Sequence, residues 1–284
     1  MANGQLVGLT GGRGFIGSTL KKYLSEKGVS VVDYDCELSN FSDVESMILK
    51  LGVPDIMIHL AGRFSDDEYE LLRDNLFATR NLLEVLSQYD GVRFVFGSTG
   101  AVYGNSGQSP IIESHACRPN TSYGRVKFWC EKVINHYEKS TTLSATILRF
   151  PSVYGPGNSK GVIYHWLHSS QNDYKIIING DGLQSRSFVH VTDICSAIFK
   201  ILSSDIKGTF NISEDKYYNL EALSSIFIKN FNCELIYKDA DNDLESMVLD
   251  SSLFIKKSSW LPSYDVGLYV KNFHKKQVLN SNGS

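Results

Sequence analysis

The sequence predicts an α/β protein built on a doubly wound parallel sheet, with a smaller C-terminal domain interleaved with it. Apolar segments of strand length alternate with amphipathic segments of helical length through the first half of the chain. The strand segments are apolar at nearly every position, which is typical of parallel strands covered on both faces. A glycine-rich turn at 11–17 ends the first apolar run and begins the first amphipathic one.

The predicted elements follow one another in a regular order. Ile16, Leu20 and Leu24 recur at helical spacing after the glycine turn. Ser42 followed by Glu45 is the capping pattern that begins a second helix. We predict strands at 6–9, 29–35, 54–62, 93–99 and 143–150, and helices at 15–27, 42–51, 67–89 and 121–139.

Beyond Pro151 the alternation becomes irregular, and turn residues and aromatic residues increase. A regular pattern returns at 187–203 and 209–212. We therefore predict that the chain revisits its first domain before it ends in the second. The predicted domains are a dinucleotide-binding (Rossmann) domain, 1–150 with 182–212, and a substrate domain, 151–181 with 213–284.

Composition excludes several classes of protein. The chain has 284 residues, 42% of them hydrophobic and 21% charged, as in an ordinary soluble globular protein. A net charge of −3 argues against a nucleic-acid partner or an anionic membrane surface. The five cysteines are scattered, which suits a cytoplasmic protein with reduced thiols. His165 and His168 lie one helical turn apart, but nothing nearby completes a ligand set, so we predict no metal site.

The glycine turn has the chemistry of a phosphate site. Glycines let the backbone approach a phosphate closely, and the following helix presents N–H groups to it. The spacing fits two registers, which begin at Gly11 and at Gly12 and share Gly14 and Gly17. The predicted cofactor-binding residues here are Gly11, Gly14, Phe15, Ile16 and Gly17.

Two further strand ends complete the predicted cofactor site. Asp33 and Asp35 end the second strand, and Asp35 is the better placed to accept hydrogen bonds from a ribose. A carboxylate at that position repels a 2′-phosphate, which favours NAD over NADP. The third strand ends in Leu60, Ala61 and Gly62, which are expected to leave room for the ligand.

Tyr123 and Lys127 are the predicted catalytic pair. At i and i+4 of a helix they share one face, with Cβ atoms about 6 Å apart. An isolated tyrosine has a pKa near 10, too high for a base at neutral pH. A neighbouring cation and a positive nicotinamide ring are expected to lower that pKa, so that the phenol can exchange a proton with a sugar hydroxyl.

With these residues in place, the chain resembles an extended short-chain dehydrogenase/reductase of the nucleotide-sugar epimerase/dehydratase branch. The matching motifs cover nearly the whole chain in the family's order. They are Thr10–Gly17, Asp35, His59–Gly62, Asn75, Ser98–Thr99, Val102–Gly104, Tyr123 with Lys127, Leu148–Arg149, Val153–Gly157 and Arg186–Asp193.

The resemblance implies roles for single residues. Thr99 would bind the reacting sugar oxygen, Tyr123 would be the acid/base, and Lys127 would hold the nicotinamide ribose. Arg186 would bind the substrate diphosphate, a task that suits a guanidinium because it meets phosphate oxygens with two parallel bonds. Ser152 stands where epimerases of this type usually have a diphosphate-binding Asn. Asn75 and His190 are expected to be structural.

The residues after Thr99 discriminate between reactions. Gly100 and Ala101 replace the acidic groups that the family's dehydratases and decarboxylases carry there. Two reactions at C4 of the sugar are left as candidates. One is 4-epimerisation, and the other is reduction of a 4-keto-6-deoxy sugar. The reductase is favoured by Ser152, by the short chain and by the absence of Arg from 239–251. The epimerase is favoured by Asp35 and by the Ala101–Gly104 motif.

We therefore predict an NAD-dependent nucleotide-diphosphosugar 4-epimerase, with the 4-ketoreductase as the alternative. A non-catalytic NAD(H)-binding relative is disfavoured because Thr99, Tyr123 and Lys127 are all present. The resemblance also implies a homodimer, formed through the helices at 69–89 and 122–139.

Overall fold

The computed structural model describes residues 4–107, 109–239 and 246–281. The strands are β1 (Val7–Thr10), β2 (Val31–Asp33), β3 (Ile56–His59), β4 (Arg93–Thr99), β5 (Ser144–Phe150), β6 (Ser152–Tyr154), β7 (Lys175–Asn179), β8 (Ser185–His190), β9 (Gly208–Asn211), β10 (Tyr217–Asn219) and β11 (Glu234–Lys238). The α-helices are α1 (Phe15–Glu26), α2 (Phe41–Leu51), α3 (Glu68–Leu71), α4 (Ala78–Leu86), α5 (Ser122–Ser140), α6 (Gly161–Asn172), α7 (Val191–Leu202), α8 (Leu220–Phe231), α9 (Ser252–Ser258) and α10 (Val266–Ser281).

The main sheet has six parallel strands in the order β2-β1-β3-β4-β5-β9. This order confirms the predicted fold class. The chain moves from β1 outward to β2 and then returns to build the rest of the sheet on the other side. The strand order therefore reverses between β1 and β3, and such a sheet binds ligands at the carboxyl ends of its strands at that point.

Alternate side chains of the strands fill two separate layers of the core. Phe94 and Phe96 of β4 pack with α2, α4 and α5 on one face. Val95, which points to the other face, packs with Leu20 of α1 and Ile198 of α7. Burial on both faces explains why the strands are apolar at almost every position.

A second part of the molecule contains two small sheets, β10-β8-β6 and β11-β7. Trp166 of α6 and Phe227 of α8 lie edge to face in its core, with ring centroids 5.4 Å apart. The chain enters this part at β6, and α7 and β9 then return to the main sheet. The domain limits given above stay a prediction, and residues 240–245 of the segment 239–251 lie outside the described residues.

The predicted helix at 67–89 is interrupted. A π-helical segment, Leu72–Phe77, separates α3 from α4. Inside it the Asn75 side chain donates hydrogen bonds to the carbonyls of Arg63 and Leu71, at 2.9 and 3.0 Å. The π-helical segment is short and lies inside one continuous helical stretch, so the sequence pattern did not separate it from an α-helix. Among the described residues, no helix combines the length and the apolar character needed to cross a bilayer.

Candidate active site

The glycine turn lies at the carboxyl end of β1, against the end of β3. Gly11 has a φ of +75°, and a Cβ there would lie 2.6 Å from the Ala61 nitrogen. A Cβ on Gly17 would overlap the carbonyl oxygen of Gly11. Among the described residues, no side chain caps the N-terminus of α1, so its first N–H groups remain available to a phosphate.

Two adjoining cavities form one groove along this edge of the sheet. Their volumes are about 490 and 560 Å³. The first contains Asp35, and the second contains Tyr123 and Lys127. The walls of both include Gly11, Gly14, Leu60, Ala61, Gly62 and Arg63. Phe15, Ile16, Gly17 and Ser152 line the second. An extended ligand that crosses the glycine turn fits this shape.

The first cavity ends at the predicted ribose position. Asp35 lies two residues beyond β2 and forms an ion pair with Arg13, with Nη2 and Oδ2 2.6 Å apart. Both side chains are exposed. Asp33 forms an ion pair with Lys21 of α1. Asp33 and Asp35 are therefore both exposed at this cavity wall, each beside a cation, and Asp33 also lies against the glycine turn, where a Cβ on Gly12 would overlap its Oδ1.

The second cavity holds the predicted catalytic pair. Thr121 caps α5 by accepting a hydrogen bond from the Gly124 nitrogen at 3.0 Å. This places Tyr123 in the first turn, where its ring packs against Phe64 at a centroid distance of 5.1 Å. Lys127 is buried one turn later, with Nζ 3.9 Å from the centroid of the Phe96 ring.

The expected lowering of the Tyr123 pKa is not found in the protein alone. Burial raises the pKa of Tyr123 to about 12, and the Cys130 thiol adds to the rise. Burial also lowers the pKa of Lys127. The cost of removing a phenolate from water is larger than any attraction that Lys127 provides here. Tyr123 is therefore a protonated phenol at neutral pH.

Two hydroxyl groups at the end of β4 have opposite hydrogen-bonding roles. Thr99 Oγ1 accepts a hydrogen bond from the Ala101 nitrogen at 3.2 Å, which leaves its proton available to a ligand. Ser98 Oγ, which lines the second cavity, donates to Glu131 Oε1 at 2.5 Å. Ser98 is thereby left as an acceptor, and Thr99 as a donor.

A buried ion pair fixes α5 against the sheet. Glu131 accepts hydrogen bonds from Arg149 Nε at 3.1 Å and from Nη2 at 2.6 Å. Arg149 Nη1 also donates to the Tyr103 hydroxyl at 2.8 Å. Sequence reasoning missed Glu131, whose one signal was its position one helical turn after Lys127.

The structure does not bring all predicted residues together. Of the described residues, Thr99 and Arg186 lie outside the walls of both cavities. Arg186 lies on β8, where Nη1 donates to the Ser185 carbonyl at 3.0 Å. Sequence reasoning also missed wall residues of the second cavity. Those residues include Arg63, Phe64, Asn158 and Lys160.

This fold, with a glycine turn, exposed acids after β2 and a Tyr/Lys pair in one groove, is typical of a dinucleotide-dependent α/β enzyme. The model of the NAD dependent epimerase/dehydratase family matches residues 7–213. The chain belongs to this family. The match confirms the predicted family and the expectation of NAD, and the uncapped N-terminus of α1 and the Asp35 carboxylate fit that cofactor.

Individual proteins agree with the family match. A protein named "Putative UDP-glucose 4-epimerase" from Methanocaldococcus jannaschii is 30% identical, over 93% of this chain and 95% of its own length. The structure is similar to that of UDP-glucose 4-epimerase from Thermotoga maritima, with a TM-score of 0.86 and 24% identity. The similarity covers 96% of this chain and 99% of the Thermotoga maritima chain. It is also similar to dTDP-glucose 4,6-dehydratase from Bacillus anthracis, with a TM-score of 0.85, 22% identity and 98% coverage of each chain. These two similarities support the fold.

Proposed function

We propose that this protein is an NAD-dependent nucleotide-diphosphosugar 4-epimerase. The observation that carries the proposal is the presence of Tyr123 and Lys127 in one cavity with the glycine turn. Gly100 and Ala101 supply no acid or base beside Thr99, which disfavours dehydration and decarboxylation. The printed name of the 30% identical relative, "Putative UDP-glucose 4-epimerase", supports the same reaction.

The side chains divide the work of the proposed reaction. Tyr123 would be ionised by Lys127 together with the positive nicotinamide ring of bound NAD, and its phenolate then takes the proton of the sugar 4-hydroxyl and later returns it. Thr99 donates a hydrogen bond to the same oxygen, and Lys127 supplies positive charge next to the phenol. Bound NAD supplies the hydride acceptor and, in its reduced form, the hydride donor. Inversion at C4 requires that the keto sugar present its opposite face before the hydride returns.

The second candidate is a reductase of 4-keto nucleotide sugars. It is favoured by the position of Arg186 outside the groove walls and by the protonated state of Tyr123, which suits a proton donor. A non-catalytic relative is disfavoured by the complete set of Thr99, Tyr123 and Lys127.

One experiment separates the two enzymes. The freshly purified protein is denatured, the released nucleotide is identified by mass spectrometry, and the native protein is assayed for interconversion of UDP-glucose and UDP-galactose. Near-stoichiometric NAD with interconversion supports the epimerase, because the cofactor is regenerated within each cycle. An empty protein that oxidises NADH or NADPH with a 4-keto sugar would identify the reductase.

We also propose that the protein is a cytoplasmic homodimer. Tyr69 of α3, Phe77 of the π-helical segment and Trp129 of α5 are 66%, 45% and 40% exposed. Large aromatic side chains are enriched in protein interfaces. Light scattering after size-exclusion chromatography is expected to give twice the monomer mass for the wild-type protein. The Trp129→Glu variant is expected to give a lower mass.

A further inference from the structure

Phe64 is a large apolar side chain that the fold leaves exposed beside the catalytic pair. It lines the second cavity, and 61% of its surface is accessible to solvent. A phenyl ring exposed to this degree gains little of the free energy that burial of an aromatic side chain provides. Packing of the core therefore does not account for a phenyl ring at this wall.

The loop that carries Phe64 is fixed on both sides of it. The Arg63 carbonyl accepts a hydrogen bond from Asn75 Nδ2 at 2.9 Å. Ser65 Oγ donates a hydrogen bond to Glu70 Oε2 at 2.7 Å. The ring therefore stands at the cavity wall from a backbone position that neighbouring residues hold.

The neighbours of the Tyr123 ring are of two kinds. Tyr123 is partly buried and packs against the core cluster that includes Leu82 of α4 and Val126 of α5. The Phe64 ring, which does not belong to that cluster, lies with its centroid 5.1 Å from that of Tyr123 and its plane inclined by 59°. Phe64 is therefore the neighbour that separates the phenol ring from the solvent of the groove.

The charged and titratable groups around the phenol come from three elements. Lys127 and Cys130 lie on α5 itself, Arg63 on the loop after β3, and Lys160 on the loop after β6. None of the described wall residues of this cavity is a carboxylate. The formal charge at the described wall is therefore positive, and exclusion of water strengthens its attraction for a phenolate.

We propose that Phe64 is a positioning residue for Tyr123, which holds the phenol in place at the groove and keeps water away from its phenolate. The kinetic consequence of this inference rests on the proposed function. A phenolate shielded from water is attracted more strongly by Lys127 and by bound NAD, and a fixed ring presents its oxygen to the sugar hydroxyl. Without the Phe64 ring, water solvates the phenolate and the phenol turns more freely.

The first measurement follows the ionisation of Tyr123 without any turnover. Tyrosine labelled with 13C at Cζ is incorporated into the full chain, and the NMR signal of Tyr123 is identified by its absence from Tyr123→Phe. Before NAD is added, burial holds the pKa of Tyr123 at about 12. Phe64→Ala is expected to lower this pKa by about one unit, towards the ordinary value near 10, because water then reaches the phenolate.

The second measurement is steady-state turnover of a nucleotide sugar by the NAD-loaded protein. In Phe64→Ala, kcat is expected to fall about 10-fold or more because the phenol is less well placed, while the KM of the sugar and the Kd of NAD stay within about threefold. Phe64→Tyr keeps the aromatic ring and should restore kcat to within about threefold of wild type. Phe64→Leu, which keeps only apolar bulk, should lie between these two variants.

Leu49→Ala is the matched control. Leu49 is an apolar side chain of α2 that is 71% exposed, and the proposed chemistry does not involve it. This variant should leave both the pKa of Tyr123 and kcat unchanged.

An unchanged pKa of Tyr123 in Phe64→Ala would overturn the inference, as would an unchanged kcat or a loss of kcat that Phe64→Tyr does not restore. Equal losses of kcat and of NAD affinity would also overturn it, because the loop would then act on the cofactor. A wild-type protein that converts no nucleotide sugar, with a lowered Tyr123 pKa in Phe64→Ala, would refute the proposed function alone. An active wild type with the same pKa and kcat in Phe64→Ala would refute this inference alone.

Discussion

At the scale of single residues, Tyr123 is the group on which the proposed chemistry depends. Tyr123→Phe removes the hydroxyl and keeps the ring that packs against Phe64. Turnover is expected to fall by 10²-fold or more, the order of a general acid–base contribution, while the Kd of NAD stays within about threefold. Steady-state kinetics and fluorescence titration with NAD measure both. Retained turnover would remove Tyr123 from its assigned role.

We expect Asp35, together with its neighbour Arg13, to influence the choice between NAD and NADP. Its carboxylate is paired with Arg13 at 2.6 Å. Asp35→Ala removes the repulsion of a 2′-phosphate and leaves Arg13 available to bind it. We expect about a 10-fold shift in the ratio of the two Kd values towards NADP, measured by calorimetry.

The double variant Asp35→Ala/Arg13→Ala is the control for this shift. It should lose the gain in NADP affinity while it keeps the weaker binding of NAD. An unchanged cofactor preference in the single variant would place the ribose contact elsewhere.

At the scale of elements, the π-helical segment fixes one wall of the groove. Asn75 is buried, and its two donor contacts connect the segment to the Arg63 carbonyl and to the end of α3. Asn75→Ala leaves these carbonyls without the side-chain donor. The free energy of unfolding is expected to fall by about 1–3 kcal/mol, and NAD affinity should weaken because Arg63 and Gly62 shift.

Asn172→Ala is the matched control for this prediction. Asn172 Nδ2 also donates to a carbonyl four residues earlier, that of His168 at 2.8 Å, but on an exposed surface of α6. Urea denaturation should show a much smaller loss for the control. Equal losses in the two variants would contradict the role assigned to the π-helical segment.

At the scale of the whole molecule, a buried histidine connects three elements of the first domain. His59 at the end of β3 hydrogen-bonds to Thr10 of β1 at 2.6 Å and to Thr79 of α4 at 3.0 Å. Burial lowers the pKa of His59 from 6.5 to about 3. The folded protein therefore keeps the ring neutral at pH values at which the unfolded chain protonates it.

Acid is therefore expected to destabilise the fold through His59. Between about pH 6.5 and pH 3 the unfolded state binds one more proton at this site, so the stability present above pH 6.5 is lost as the pH falls. The slope approaches about 1.4 kcal/mol per pH unit within that window. Urea denaturation at pH 7, 6 and 5 should show a shallower slope for His59→Asn than for wild type. Equal slopes for the two proteins would contradict the role of His59 in the acid destabilisation.

The sequence by itself determined the fold class, the glycine turn and the Tyr123/Lys127 pair. Hydrophobic periodicity records which side of a segment is buried, and the glycine and i,i+4 spacings act within one turn or helix. These features are local, so they can be predicted without knowing how the chain folds. The sequence also showed the acids Asp33 and Asp35 at and after the end of the second strand, but the assignment of a ribose contact to Asp35 stays a prediction.

The tertiary structure alone decided which distant side chains meet. It brought Lys160 opposite Phe64 and Tyr123, paired Glu131 with Arg149, and left Arg186 outside the groove walls. It also decided the pKa of Tyr123, because the loss of hydration depends on every group packed around the phenol. Contacts across a groove and the burial of a charge belong to the folded chain as a whole, and no local pattern encodes them.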